Sequence, residues 1–332
     1  MKQWFNLSDN NKRDIFNQVS ISNGLPAFAI EKDWWVTNVL RIIFSLPVSE
    51  HLIFKGGTSL SKGWNLIERF SEDIDLVLDR KLLGFKDELS KTQIGKLRKA
   101  SCTFISNEFV QIISEKIHKL EIPDILISVQ ELGSSDKDPV IIEIAYSTVT
   151  EESSYLKPKV LIEVGSRSLF EPTEKINMQS FVDEFYHDKP FALQPISVPT
   201  VLPKRTFLEK AFLLHEEFQK PVDQIRVNRL SRHLYDLDKL MDSDHGKEAL
   251  QDFELYKSIV DHREKFNAIR GIDYSNHRPD KLNIIPPVGI IKKWEEDYKS
   301  MQESMIYGES RTFSDLISRM KELNERFKEI IF

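Results

Sequence analysis

The stretch RFSEDIDLVLD, residues 69–79, sets two carboxylates, Asp73 and Asp75, one residue apart in a run that otherwise has the apolar character of a buried strand. Side chains alternate across a strand, so residues i and i+2 share a face and both acids must point the same way. Like charges held side by side cost free energy unless a cation lies between them. The pair therefore predicts a metal site. A solvated edge strand is the bland alternative, and Ile74, Leu76, Val77 and Leu78 argue against it by making the strand buried on at least one side. Glu72, of opposite parity, is expected to point away, at the surface or in a supporting position.

Just upstream, FKGGTSLSKGW (residues 54–64) ends the short apolar run HLIFK with Gly56-Gly57, and a helical pattern resumes at Thr58 and Ser59. Glycine lets a phosphate approach the backbone closely, N–H groups at a helix start point at an anion, and a hydroxyl adds a donor. Alone, such a turn reads more readily as a plain tight turn with a helix cap. Followed within one helix and one loop by Asp73 and Asp75, it reads as a triphosphate nest beside ligands for Mg2+, which takes oxygen donors and bridges substrate phosphates. A third acid would complete the set. Glu143 in VIIEIAY and Glu163 in KVLIEVGSRS both interrupt apolar strands, and the residues alone do not choose between them.

Around this centre the chain alternates in character. Helical patterns are expected from Ser8 or Asp9 to Val19, over 31–46 and from Lys91 to Lys119, with strands at 51–55, 124–132, 139–149 and 157–168. A Pro-bearing linker, PISVPTVLPKR (195–205), precedes helical patterns at 204–219, 226–242, 248–268, 288–304 and 313–331. The expected class is α+β: a mixed-sheet domain over 1–195, then an all-helical domain over 196–332.

The 332 residues carry a net charge of -6 with 30% charged side chains, which excludes a protein that coats nucleic acid by bulk charge. Any polyanion must be gripped locally, and basic clusters at Lys91, Lys96, Arg98 and Lys99, at Lys204 and Arg205, and at Arg226, Arg229 and Arg232 are candidates. The single cysteine, Cys102, reads as a small buried apolar residue. No apolar run long enough to span a membrane and no leader-like start occur, so a cytoplasmic protein without a membrane partner is expected.

Two helical stretches carry chemistry. In RTFLEKAFLLHEEF (205–218), Lys210 lies beside an apolar face formed by Phe207, Leu208, Ala211, Phe212 and Leu214, and His215 reads as a structural histidine. In RLSRHLYDLDKL (229–240), Arg229, Arg232, His233 and Asp236 recur on one helical stripe, which is either a solvated face or a site lining where Asp236 orients Lys210, Arg232 or His233.

Taken in order, FKGGTSLSKGW with RFSEDIDLVLD, YLKPKVLIEVGSRS, RTFLEKAFLLHEEF and RLSRHLYDLDKL resemble the AbiEii/AbiGii family of nucleotidyltransferase toxins from bacterial type IV toxin-antitoxin and abortive-infection systems, over about residues 30–242. The resemblance implies a DNA polymerase beta-like nucleotidyltransferase core. It makes Gly56, Gly57, Thr58 and Ser59 the phosphate-binding turn, Asp73 and Asp75 the metal ligands, and Glu163 the preferred third acid. Lys210 becomes the lysine that meets the nucleotide phosphates, and Lys62, Arg232 and Asp236 join the nucleotide-binding set. The implied reaction is Mg2+- or Mn2+-dependent transfer of NMP from an NTP to an acceptor hydroxyl, with RNA, the tRNA 3' end in particular, ahead of protein. A cognate antitoxin acting without a stable complex is the implied partner. A metal-dependent phosphohydrolase or nuclease, and a non-catalytic nucleotide-binding module, are the rival classes.

Overall fold

A computed structural model describes residues 1–151, 157–167 and 173–330. Ser168 and Ile331, expected ends of a strand and a helix, lie outside the described residues. The chain divides into two compact units, one of residues 1–64 and 70–201, the other of residues 65–69 and 202–332.

The first unit is organised by a seven-stranded mixed sheet. In chain order its strands are β1 (Leu52–Lys55), β2 (Asp73–Leu78), β3 (Ile125–Val129), β4 (Val140–Tyr146), β5 (Lys159–Gly165), β6 (Thr173–Met178) and β7 (Ile196–Val201). Their spatial order is β3-β4-β5-β2-β1-β7-β6, with β2 parallel to β5, β1 parallel to β7 and the remaining neighbours antiparallel. Strict alternation explains the burial. Leu52, Phe54, Ile74, Leu76, Leu78, Ile142, Ile144, Val160, Ile162 and Val164 fill one face completely. The opposite face of β4 and β5 is only half-buried at every second residue. Helix Ala27–Ile43 packs against β2 and β5. It is buried nearly all round, with Trp34 stacked on Trp4 and Trp35 stacked on Tyr146.

Two strands were not visible in the sequence. Residues 196–201, read as linker because of Pro199, form β7 between β1 and β6. Val198 and Val201 are fully buried there, and this burial outweighs the N–H that proline lacks. Strand β6, TEKINM, is mostly polar and gave no period-2 apolar signal.

The second unit is built on helix Pro203–Phe218, whose Phe207, Leu208, Ala211, Phe212 and Leu214 are buried as its apolar spacing requires. Helices Ser231–Leu240, Asp244–Gln251, Phe253–His262, Ile291–Ser304 and Phe313–Lys328 complete it. The pattern at 226–242 overreaches at its start. Arg229 has φ 60, and its N–H donates to Asp297 Oδ1 at 2.6 Å, so the helix begins only at Ser231 and Arg229 leaves the expected stripe. The pattern at 248–268 is likewise broken at Asp252, which caps a new helix by accepting from Leu255 N at 3.0 Å. Among the described residues no helix is long and apolar enough to cross a membrane.

Candidate active site

The register of the central strands brings three predicted acids together. Asp73 and Asp75 are both half-buried on β2, Asp75 pairs with Glu163 of β5, and Asp73 pairs with Leu161. Paired residues on neighbouring strands project to the same side, so Asp73, Asp75 and Glu163 share one face. Glu143 stands on that face too, but one strand further out, opposite Leu161 and in a 2.8 Å ion pair with Lys159. On the other flank Lys55 of β1 pairs with Asp75, so Lys55, Asp75 and Glu163 make one row across three strands. Nothing in the spacing of HLIFK had singled out Lys55. Only the antiparallel register exposes its position.

The glycine turn lies against these acids. Gly56 has φ 82, a left-handed conformation that favours glycine, and a Cβ on it would overlap Asp75 Oδ2. Thr58 Oγ1 donates to the carbonyl oxygen of Asp73 at 2.5 Å and lies 2.9 Å from Ser71 Oγ, while Ser59 Oγ donates to Gly56 O at 2.9 Å. Both hydroxyls therefore fasten the turn and the start of β2 rather than projecting from them. Lys62 is turned inward, 2.7 Å from Asp33 Oδ1 and over the ring of Phe181. Burial pushes the Asp33 carboxyl up from its ordinary range, against the pull of Lys62.

Behind the acid strand, Glu72 is not a surface residue. It is buried and bonded at 3.1 Å to Lys32, whose ammonium also donates to the carbonyls of Lys157 and Lys159. One lysine of helix Ala27–Ile43 thus fixes the starts of β2 and β5 relative to each other. Burial lowers its pKa, and the neighbouring Glu72 partly restores it.

In the second unit Asp236 is fully buried and serves two cations. Arg69 donates from Nε to Oδ1 and from Nη2 to Oδ2, both at 2.7 Å, and Lys210 Nζ lies 2.8 Å from Oδ2. Burial alone would raise the Asp236 carboxyl, but Arg69 and then Lys210 hold it well below the usual carboxylate range. Burial lowers Lys210, Asp236 opposes that, and Arg69 and Arg232 add to it. His233, beside Lys210 and Arg232, is kept neutral by burial first and by those cations second. The sequence offered Lys210, Arg232 and His233 as alternative partners of Asp236, and the structure pairs it with Lys210. Arg69, 167 residues away in sequence, carried no such signal. His215 is structural: its Nδ1 accepts from Asn283 N at 3.0 Å and its ring meets His277 edge-on.

Three carboxylates on one face supply oxygen donors of the kind a hard divalent cation takes, and the missing Cβ of Gly56 lets the Asp75 carboxylate lie against the turn. Among the described residues no group of three or more His, Cys, Asp and Glu side chains is drawn together as a formed metal centre.

A mixed sheet presenting Asp-x-Asp on one strand face, with a double-glycine turn packed on the second aspartate, is consistent with a nucleotidyltransferase-like domain. The chain belongs to the AbiEii family: the family model described as "Nucleotidyl transferase AbiEii toxin, Type IV TA system" matches residues 39–329. By that membership it is a transferase of the toxin class, and its family pairs such toxins with antitoxins. A search of curated proteins returned no match to the chain.

Proposed function

We propose that the protein is a Mg2+-dependent nucleotidyltransferase toxin that moves NMP from an NTP to an acceptor hydroxyl of RNA, with the tRNA 3' end as the leading acceptor. The observation that carries this reading is that Asp73, Asp75 and Glu163 share one sheet face with the Gly56 turn packed on Asp75, within the matched family region.

In this reading Asp73, Asp75 and Glu163 hold the divalent cation, which when bound neutralises charge on the phosphate oxygens. The backbone N–H groups of the 56–59 turn cradle the triphosphate, and the absent Cβ of Gly56 lets Asp75 pack directly on that turn. Glu163 takes the proton of the acceptor hydroxyl. The hydroxyl oxygen then attacks the α phosphorus in line, the new O–P bond forms, the bond to the bridging oxygen breaks, and pyrophosphate leaves. Catalysis here is positioning and charge neutralisation. The toxin acts in the cytoplasm, opposed by a cognate antitoxin.

The test is to incubate the protein with each α-labelled NTP and a mixture of total RNA and protein, then fractionate. Label in RNA of tRNA size supports the reading. Label in protein reassigns the acceptor. Release of free NMP or cleavage of RNA without label transfer moves the chain to a phosphohydrolase or nuclease.

A further inference from the structure

Three consecutive residues of helix Ala27–Ile43, Glu31, Lys32 and Asp33, are almost fully buried, and each grips a different segment of the first unit. Glu31 accepts from Val149 N at 2.9 Å and from Thr150 N at 3.2 Å. Asp33 accepts from Phe181 N at 2.8 Å and pairs with Lys62. Lys32, between them, reaches the acid strands. Its ammonium has three hydrogens and meets three acceptors: Glu72 Oε2 at 3.1 Å, the carbonyl oxygen of Lys157 at 2.8 Å and that of Lys159. Glu72 immediately precedes Asp73, and Lys159 opens β5 two residues before Leu161, the partner of Asp73. A parallel pair such as β2 and β5 has no hairpin turn to fix its register. Burying an ammonium with a carboxylate is costly, and apolar replacements are often as stable, so stability alone does not account for the pair. What Lys32 adds is a pin between two strand starts that lie far apart in sequence.

We propose that Lys32 is a positioning residue for metal binding: by pinning the starts of β2 and β5 it sets the alignment of Asp73 and Asp75 with Glu163, and so their affinity for a divalent cation. This rests on the function proposed above, and it assigns that site a residue which acts only through Glu72 and the backbone of β5. Glu163 stands four residues along the strand from Lys159, so a shift at the strand start is carried up the ladder to the row of Lys55, Asp75 and Glu163. The ammonium also lies close enough to Asp73 for their charges to interact, so removing Lys32 alone would change field and geometry together. Removing the charges of Lys32 and Glu72 in one variant leaves the net charge unchanged and isolates the geometry.

The experiment titrates the full-length protein with Mn2+ in the absence of NTP, reading the free ion by EPR, with thermal unfolding alongside. Wild type, Asp75→Ala, Lys32→Met/Glu72→Gln, Lys32→Arg and Glu31→Gln are compared. The double variant is expected to weaken Mn2+ binding by about tenfold or more, the scale seen when a group that orients metal ligands is lost. Lys32→Arg keeps the charge but replaces a compact ammonium by a planar fork, and it falls between. Glu31→Gln loosens the 148–150 loop from the same helix. It binds Mn2+ as wild type does even if it unfolds earlier, which separates the pinning of the acid strands from general loosening of the helix. In NMP transfer, the double variant raises the Mg2+ concentration for half-maximal rate more than it raises KM for the NTP at saturating Mg2+. Wild-type Mn2+ affinity in the double variant, or in Lys32→Arg where the double variant does not fold, overturns the proposal. An equal loss of affinity in Glu31→Gln overturns it too. With Asp75→Ala unable to bind Mn2+, each of these results leaves the transferase reading standing. Equal Mn2+ binding by wild type and Asp75→Ala removes the metal site itself, and the proposal falls with that reading.

Discussion

The carboxylate of Asp75 lies against the backbone of Gly56, so closely that any Cβ on that glycine would overlap Oδ2. A turn and a strand that are separate sequence motifs are thereby one object, and Thr58 locks it by donating to the carbonyl of Asp73 at 2.5 Å. Gly56→Ala must displace Asp75 and also hold alanine at φ 82. The expected result is loss of NMP transfer together with a destabilisation of about 1–3 kcal/mol, read by urea unfolding. Wild-type activity in this variant would show that the turn and the acid work independently.

Register sets Glu163, and not Glu143, beside Asp75. Glu163 pairs with Asp75, whereas Glu143 lies one strand away and is bound to Lys159 at 2.8 Å. Glu163→Gln should cut transfer by roughly 10²-fold or more with little change in stability. Glu143→Gln should leave the rate within a few-fold of wild type. The reverse ranking would move the site outward on the sheet.

Asp236 is a different kind of residue because two buried cations depend on it. Asp236→Ala removes the carboxylate that Arg69 and Lys210 share, and removal of one partner from a buried ionic cluster costs about 3–5 kcal/mol. Denaturant unfolding should show a loss of that order, larger than for Asp75→Ala. Equal losses would mean that the cluster relaxes into water.

His215 makes stability pH-dependent. Burial first, then His277, lower its pKa from 6.5 to about 4. The unfolded state therefore binds the proton first as pH falls. The neutral-histidine contribution is complete above about pH 6.5 and is lost progressively down to about pH 4, on the order of 3 kcal/mol in total. His233, held neutral by burial, Lys210 and Arg232, acts with the same sign. Unfolding free energies measured from pH 7.5 to 4 should decline across that window, and His215→Asn, which keeps an acceptor for Asn283, should flatten part of the slope. A pH-independent wild type would contradict the assignment.

What the sequence made legible was local. Period-2 alternation placed Asp73 and Asp75 on one face, and the glycine pair marked a turn before a helix. Helical spacing set Asp236 on one stripe with Arg232 and His233, and left Lys210 as one of three possible partners. What it hid depends on pairings between distant segments. Glu163 and Glu143 sit in equivalent apolar strands, and only the parallel pairing of β2 with β5 separates them. Lys62 follows the glycine turn closely, yet its charge goes to Asp33 on another helix. Glu72 has the parity of the buried face, and it is tolerated there because Lys32 arrives from residue 32 to meet it. Arg69 is one of many arginines until its distant carboxylate is known. Pro199 hid a strand because a proline usually marks an edge or a break, and here burial on both flanks decided otherwise.

The central claim is that Asp73, Asp75 and the Gly56 turn form one nucleotidyl-transfer site, and the most direct measurement compares wild type with Asp75→Ala for incorporation of α-labelled NMP into total RNA in Mg2+. Wild type is predicted to label RNA and Asp75→Ala to label none while unfolding at the wild-type temperature within a few degrees. Undiminished labelling by a folded Asp75→Ala variant would contradict the account.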